Sequence, residues 1–307
     1  MFEKVLVPTD FSAYAHKVLE CVGNIPGVKE VVLLNVVARP TLTRSWDPTT
    51  EIKDAEKKLA EEKKYIKVSG IDVKTRVISA LGREITGAIQ MVAREENVSL
   101  IVMGARGLSL IQSALMGSVS RNVLRFGDKH LLIMRFKAVG GTEGVQFFTE
   151  PRNIRGEGAR LEKFCVDLFS KVLVPTDFSQ PEEAAISFIK SISGIGELVL
   201  LHVVSKGETQ TEIDANVKNA TEMLEDISQA LSKEGLKVTT RVVVGNPVEQ
   251  IRTLAEEADV SLIAMSSVGK DTMLTGRIGS RTYDVANTAK RPVLVVRMKP
   301  VFAVPAT

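Results

Sequence analysis

The nonapeptide Lys4-Val-Leu-Val-Pro-Thr-Asp-Phe-Ser12 occurs a second time, unchanged, as Lys171-Val-Leu-Val-Pro-Thr-Asp-Phe-Ser179, 167 positions later. The apolar run at 31–37 returns at 198–204 with the same offset, as Val-Val-Leu-Leu-Asn-Val-Val and then Leu-Val-Leu-Leu-His-Val-Val. Gly107 returns as Gly269, and Gly117-Ser118 as Gly279-Ser280, at an offset of 162. Collinear blocks of this kind mean duplication, and the five-residue difference predicts a shorter loop or helix in the second half. A repeat this long is several times the period of a solenoid unit. Each copy is therefore a domain, which agrees with the prior of about two domains for 307 residues.

Within the first copy, Lys4–Pro8 reads as a short β-branched strand stopped by proline. Asp10 or Ser12 can cap a helix with Ala15, Val18, Leu19 and Val22 on its apolar face. Residues 31–37 form strand two, and 51–68 a charged helix with Ile52, Ala55, Leu59 and Ile66 on one stripe. Residues 71–79 alternate as strand three, Ile85, Ala88, Ile89 and Val92 mark a third helix, and 99–103 is strand four. A glycine loop, a helix over 119–125 and a strand over 130–135 complete the copy, and the second copy ends likewise at 292–297. Strands apolar on both faces, alternating with helices, predict a parallel sheet covered on both sides. The glycine-rich stretch between the copies reads as a linker. The organisation expected is domain one at 1–137, linker at 138–169, domain two at 170–299 and a tail at 300–307.

The stretch 104–118 is a phosphate cradle in outline. It follows a buried strand, carries Gly104 and Gly107 three apart, and ends in Gly117-Ser118 at a helix start. Glycine lets backbone approach a ligand, and unfilled N–H groups at a helix start favour an anion. A serine there is also an ordinary cap, as is Asp10, and Arg106 is either a phosphate contact or a surface side chain. His16, His130 and His202 are scattered, with no metal-ligand spacing. No Walker lysine follows either glycine loop, and no Gly-x-Ser-x-Gly elbow occurs. Forty basic against 37 acidic residues, a net charge of +3, gives no reason for a nucleic-acid or membrane partner. With no long apolar run and a chain that enters a strand at once, a soluble cytoplasmic protein is expected. Cys21 and Cys165 are expected as buried reduced thiols, and Trp46 as a local packing anchor.

With these residues in view, both halves resemble the universal stress protein family, over nearly the whole chain outside the linker. Three features carry it: the Val-Pro-Thr-Asp-Phe-Ser opening; the second strand, where Asn35 departs from the family pattern and His202 matches; and the Gly-two-Gly-nine-Gly-Ser signature. The resemblance implies two doubly wound, Rossmann-like α/β domains, each a five-stranded parallel sheet of order 3-2-1-4-5 with helices on both faces. It implies a ligand at the carboxyl ends of strands one and four. Carried over, Asp10 meets the nucleoside end, Pro8, Thr9 and Val36 wall the base and ribose, and Met103 and Gly104 end strand four. Gly107 opens backbone to the phosphates, and Gly117, Ser118 and Val119 bring amides and a hydroxyl. In the second copy the matching residues are Pro175, Thr176, Asp177, Val203, Met265, Gly269, Gly279 and Ser280. Two positions depart: Ser266 replaces the first signature glycine, where a positive-φ backbone or close phosphate approach would be costly, and Arg281 replaces Val119. Arg281 either pairs with a phosphate or fills the pocket.

The expected ligand is ATP or AMP, with Mg²⁺ a companion to the phosphates, in a stress-response sensor. A slow ATPase or phosphotransferase in the same pocket, or a nucleotide-free scaffold for a regulated protein, are the alternatives. The resemblance implies dimerisation through the fifth strand, so the apolar fifth strands 131–134 and 293–296 are expected to meet within one chain as a pseudo-dimer, and a further homodimer is expected.

Overall fold

The computed structural model describes residues 1–40, 47–66, 68, 70–105, 116–135, 137–139, 160–162, 167–205, 207, 209–269 and 278–298. The chain divides into two compact units, Met1–Val166 and Asp167–Thr307.

In the first unit the elements are β1 (Lys4–Pro8), α1 (Ala13–Val22), β2 (Glu30–Arg39), α2 (Thr49–Glu62), β3 (Asp72–Leu81), α3 (Ile85–Glu95), β4 (Leu100–Gly104), α4 (Ser118–Phe126) and β5 (His130–Met134). β1 pairs in parallel with β2 and β4, β2 with β3, and β4 with β5. The order is therefore 3-2-1-4-5, as the resemblance implies. α1 lies against the turn that follows α2, while α3 packs on α4. Those pairs cover opposite faces, because right-handed crossovers that run outward in opposite directions from β1 put their helices on opposite sides. The central strands are apolar on both faces and buried accordingly: Val5, Leu6, Val31 to Leu34, Leu100 and Val102 have no exposed surface. After β5, short strands β6 (Lys137–Val139), which begins at the last residue expected in domain one, and β7 (Arg160–Glu162), in the stretch read as linker, pair antiparallel.

The second unit runs β8 (Lys171–Pro175), α5 (Gln180–Lys190), β9 (Glu197–Val204), α6 (Gln210–Lys233), β10 (Lys237–Val244), α7 (Pro247–Glu257), β11 (Leu262–Ser266), α8 (Ser280–Thr288) and β12 (Val293–Val296). Its pairings repeat the same order, β10-β9-β8-β11-β12. The five-residue deficit is not a shortened helix, since α6 has 24 residues against 14 in α2. Strand register locates it instead. Glu30 faces Asp72 and Glu197 faces Lys237, so two positions are lost between those strands. The other three fall where the first unit inserts the helical turn Gly82–Glu84 before α3. The second unit passes there through Gly245 at φ 144° and Asn246, whose side chain caps α7.

The helix expected over 51–68 ends at Glu62 and tightens into a 3₁₀ turn over Lys63–Tyr65. The expectation of reduced thiols is also corrected: Cys21, buried on α1, is disulfide-bonded. Cys165, like Trp46, lies outside the described residues.

Candidate functional site

The loop after β1 holds its aspartate with two side-chain turns. Thr9 Oγ1 accepts from the Phe11 N–H at 3.1 Å, and Asp10 Oδ1 accepts from the Ser12 N–H at 3.1 Å. Between them Phe11 sits in the left-handed region at φ 61°. The second unit repeats each feature: Phe178 to Thr176 Oγ1 at 3.0 Å, Ser179 to Asp177 Oδ1 at 3.1 Å, and Phe178 at φ 59°. A phenylalanine in that region is costly, and the same outlier in both units points to a loop shape held for its own sake. The cap of α1 is Ser12, whose Oγ accepts from the Ala15 N–H at 3.1 Å; Asp10 is not the cap.

The second-strand mismatch between the copies turns out to be chemically small. Asn35 Nδ2 donates to the Thr9 carbonyl at 2.9 Å, and His202 Nδ1 stands 2.9 Å from the Thr176 carbonyl. A carbonyl can only accept, so Nδ1 carries the hydrogen there. Two different side chains thus deliver one donor to one backbone position.

At the end of strand four a hydroxyl missed by sequence reasoning links the strand to the helix that follows it. Ser120 Oγ donates to the Gly104 carbonyl at 2.8 Å, and Thr282 Oγ1 to the Ser266 carbonyl at 2.8 Å. The Gly117 N–H reaches Ala105 O at 2.7 Å, and the Gly279 N–H reaches Ser267 O at 2.8 Å. The available signal was a hydroxyl three residues after each Gly-Ser glycine. Gly117 and Gly279 take the N-cap positions of α4 and α8 without a side-chain cap, leaving the first-turn N–H groups unfilled from that source. Arg106 and Gly107 lie outside the described residues.

In the second unit these parts surround one cavity of about 460 Å³. Pro175, Thr176, Asp177, Val203, Met265, Gly269, Gly279, Ser280 and Arg281 all line it. Ser266 does not. It is fully buried, its Oγ accepting from the Val268 N–H at 3.2 Å, and it is not among the residues of positive φ. The backbone strain expected there is absent because Ser266 is an ordinary strand residue. A Cβ on Gly269 would stand 3.2 Å from Asp177 Oδ2, so this glycine keeps the carboxylate accessible. Arg281 Nη1 lies 3.8 Å from Asp177 Oδ2. Phe178 stacks on His202 at 4.5 Å, and both line the cavity. Asn216, Asn219 and Met223 of α6 line it as well.

In the first unit, Pro8, Thr9 and Asp10 follow β1, Val36 lies on β2, Met103 and Gly104 end β4, and Gly117, Ser118 and Val119 start α4. Parallel pairing brings these carboxyl ends to one edge. A buried cluster unforeseen in the sequence underlies them. Glu62 accepts from Thr9 Oγ1 at 3.2 Å and stands 2.7 Å from His16 Nε2, and His16 stacks on Tyr65 at 4.5 Å. Burial pushes the Glu62 carboxyl up and Asp10 adds to this, while Thr9 and His16 oppose it.

A model of the Universal stress protein family matches residues 1–135 and 168–297. The chain belongs to the universal stress protein family. Universal stress protein MJ0577 of Methanocaldococcus jannaschii is 32% identical over 157 residues, covering 43% of this chain and 97% of the relative. Universal stress protein YxiE of Bacillus subtilis is 30% identical over 150 residues, 42% of this chain and 100% of the relative. Both relatives are thus about one unit long, whereas this universal stress protein carries two. The crystal structure of a universal stress protein from Archaeoglobus fulgidus aligns over 96% of both chains, with a TM-score of 0.67 at 26% identity. Among the described residues no group of three or more His, Cys, Asp or Glu is placed to hold a metal ion. Nor is any described helix long and apolar enough to cross a membrane.

Proposed function

We propose that each unit binds an adenine nucleotide, ATP or AMP, and that the protein acts in the cytoplasm as a nucleotide-dependent regulator of a stress response rather than as a catalyst. The observation that carries this reading is the second unit's cavity, which gathers the Pro-Thr-Asp loop, Gly269, Gly279 and the uncapped start of α8 around one space. Its volume of about 460 Å³ suits a nucleotide, since ligand pockets run from about 300 to 1,000 Å³. The base and ribose lie against Pro175, Thr176, Val203 and Met265, with Asp177 accepting hydrogen bonds from the nucleoside. The phosphates lie at Gly269 and at the amides of Gly279, Ser280 and Arg281, where a helix start favours an anion. Mg²⁺ enters this reading as a companion of the phosphates.

Mass analysis of nucleotide released from the purified chain, followed by calorimetric titration with ATP and AMP, tests the proposal. No released nucleotide and no binding of either refutes it. Steady product formation from bound ATP would instead favour slow hydrolysis or phosphotransfer. From the apolar runs 131–134 and 293–296 in the sequence we also propose that the two fifth strands pair within a chain and that chains form homodimers. Cleavage within 138–169 followed by sizing checks the first, with separate elution of the halves against it. Light scattering of the intact chain checks the second, with a mass of one chain against it.

A further inference from the structure

We propose that Glu182 couples nucleotide binding in the second unit to the uptake of a proton, so that the anionic end of the ligand enters only when this carboxyl group is neutral. The inference rests on the reading above, that the cavity takes an adenine nucleotide.

Glu182 occupies the third position of α5, after the N-cap Ser179. Ser179-Gln-Pro-Glu182 has the pattern of a capping box, in which the glutamate reaches back to the N-cap N–H. That local role is already filled: the Ser179 N–H donates to Asp177 Oδ1. Glu182 turns into the cavity instead, where it is 7% exposed and accepts a hydrogen bond from the Ser266 main chain. Its Oε2 is buried with no hydrogen-bond partner among the described residues. The first unit has Ala15 at the corresponding place, three residues after Ser12, so this group belongs to the second unit alone.

Among the described residues, the charged and titratable groups facing Glu182 are Asp177 from the loop after β8 and Arg281 from α8, with His202 of β9 lining the same cavity. Asp177 and Arg281 already pair with each other. Among the described residues, the net charge presented to a phosphate is therefore set by whether Glu182 holds its proton. Burial first, and then Asp177, push its carboxyl up to about 8, against the Ser266 hydrogen bond and Arg281. Near neutral pH Glu182 is thus a hydrogen-bond donor that lacks an acceptor among the described residues. A phosphate or ribose oxygen supplies one. Above that range the same group is a buried anion facing an incoming anion, which strongly disfavours binding.

The test is calorimetric binding of AMP to the full chain between pH 7 and 9.5, where the phosphate's own titration, near pH 6, is complete. Gly117→Val in the background closes the first unit's cradle. Affinity is expected to fall about tenfold per pH unit above pH 8, the slope for one coupled proton. Glu182→Gln, neutral at every pH, is expected to keep its pH 7 affinity at pH 9.5. Glu182→Ala, which installs the first unit's side chain, is expected to bind more weakly but without the pH dependence, and serves if the glutamine variant does not fold. Equal pH dependence in wild type and variants, or none in wild type, overturns the proposal while leaving nucleotide binding intact. Absence of binding at every pH overturns both.

Discussion

Replacing Glu96 by glutamine should weaken the first unit by about 2 kcal/mol at neutral pH, and the loss should shrink in acid. Glu96 follows α3 at the sheet edge opposite the candidate site, with its side chain only 6% exposed. Three cations converge on it: Lys74 Nζ at 2.7 Å, Arg76 Nη1 at 2.6 Å and Lys4 Nζ at 3.1 Å. Their hydrogen bonds, led by that of Lys74, hold the carboxyl down to about 2 against the opposing effect of burial. A shift of that size from an ordinary carboxylate corresponds to about 3 kcal/mol. The carboxylate is buried but the cations are 25 to 47% exposed, so solvent screening lowers the figure to about 2 kcal/mol. Because the folded-state value is depressed, the contribution is complete above the ordinary carboxylate value near 4.5. It is lost as the pH falls from there toward 2. Urea unfolding followed by circular dichroism, at pH 7 and at pH 3.5, measures the gap between wild type and Glu96→Gln. A gap below about 0.5 kcal/mol at pH 7, or one that widens on acidification, would show that the triple contact is not a stabilising network.

Two further outcomes follow from the loop geometry. Asn35→Leu strands the Thr9 carbonyl without its buried donor and should cost about 1–3 kcal/mol in thermal or urea unfolding, whereas Asn35→His should cost far less, because His202 already does that work in the second unit. Gly269→Val places a branched side chain 3.2 Å from Asp177 Oδ2 and should weaken AMP binding to the second unit by about tenfold or more, a loss of about 1.4 kcal/mol, with little change in melting temperature; unaltered affinity would mean the ligand does not pass this glycine.

Element types and most boundaries were readable because the repeat doubled each signal, whereas the sheet order came from the family resemblance. Pro8 and Pro175 end the first strands, and the fully apolar central strands leave no doubt of two-sided burial. What failed depended on contacts far apart in the chain. Nothing in a run of lysines and glutamates says where α2 stops, and its end at Glu62 is tied to Thr9 and His16. The strain expected at Ser266 did not appear, since its hydroxyl finds the Val268 amide and its backbone stays in the strand. Glu182 stayed hidden for the opposite reason: its local pattern offers an innocent explanation, which the three-dimensional position of Asp177 removes. The disulfide at Cys21 likewise has no counterpart in local spacing.

The covalent duplication has a consequence for how such a protein can change over time. In an assembly of identical single-unit chains, every mutation lands in every pocket at once, and one that harms the ligand in any of them harms it in all. Here Ala15 and Glu182, or Val119 and Arg281, are separate codons of one gene. One unit can keep its inherited residues while the other changes, and the two are always produced in equal number.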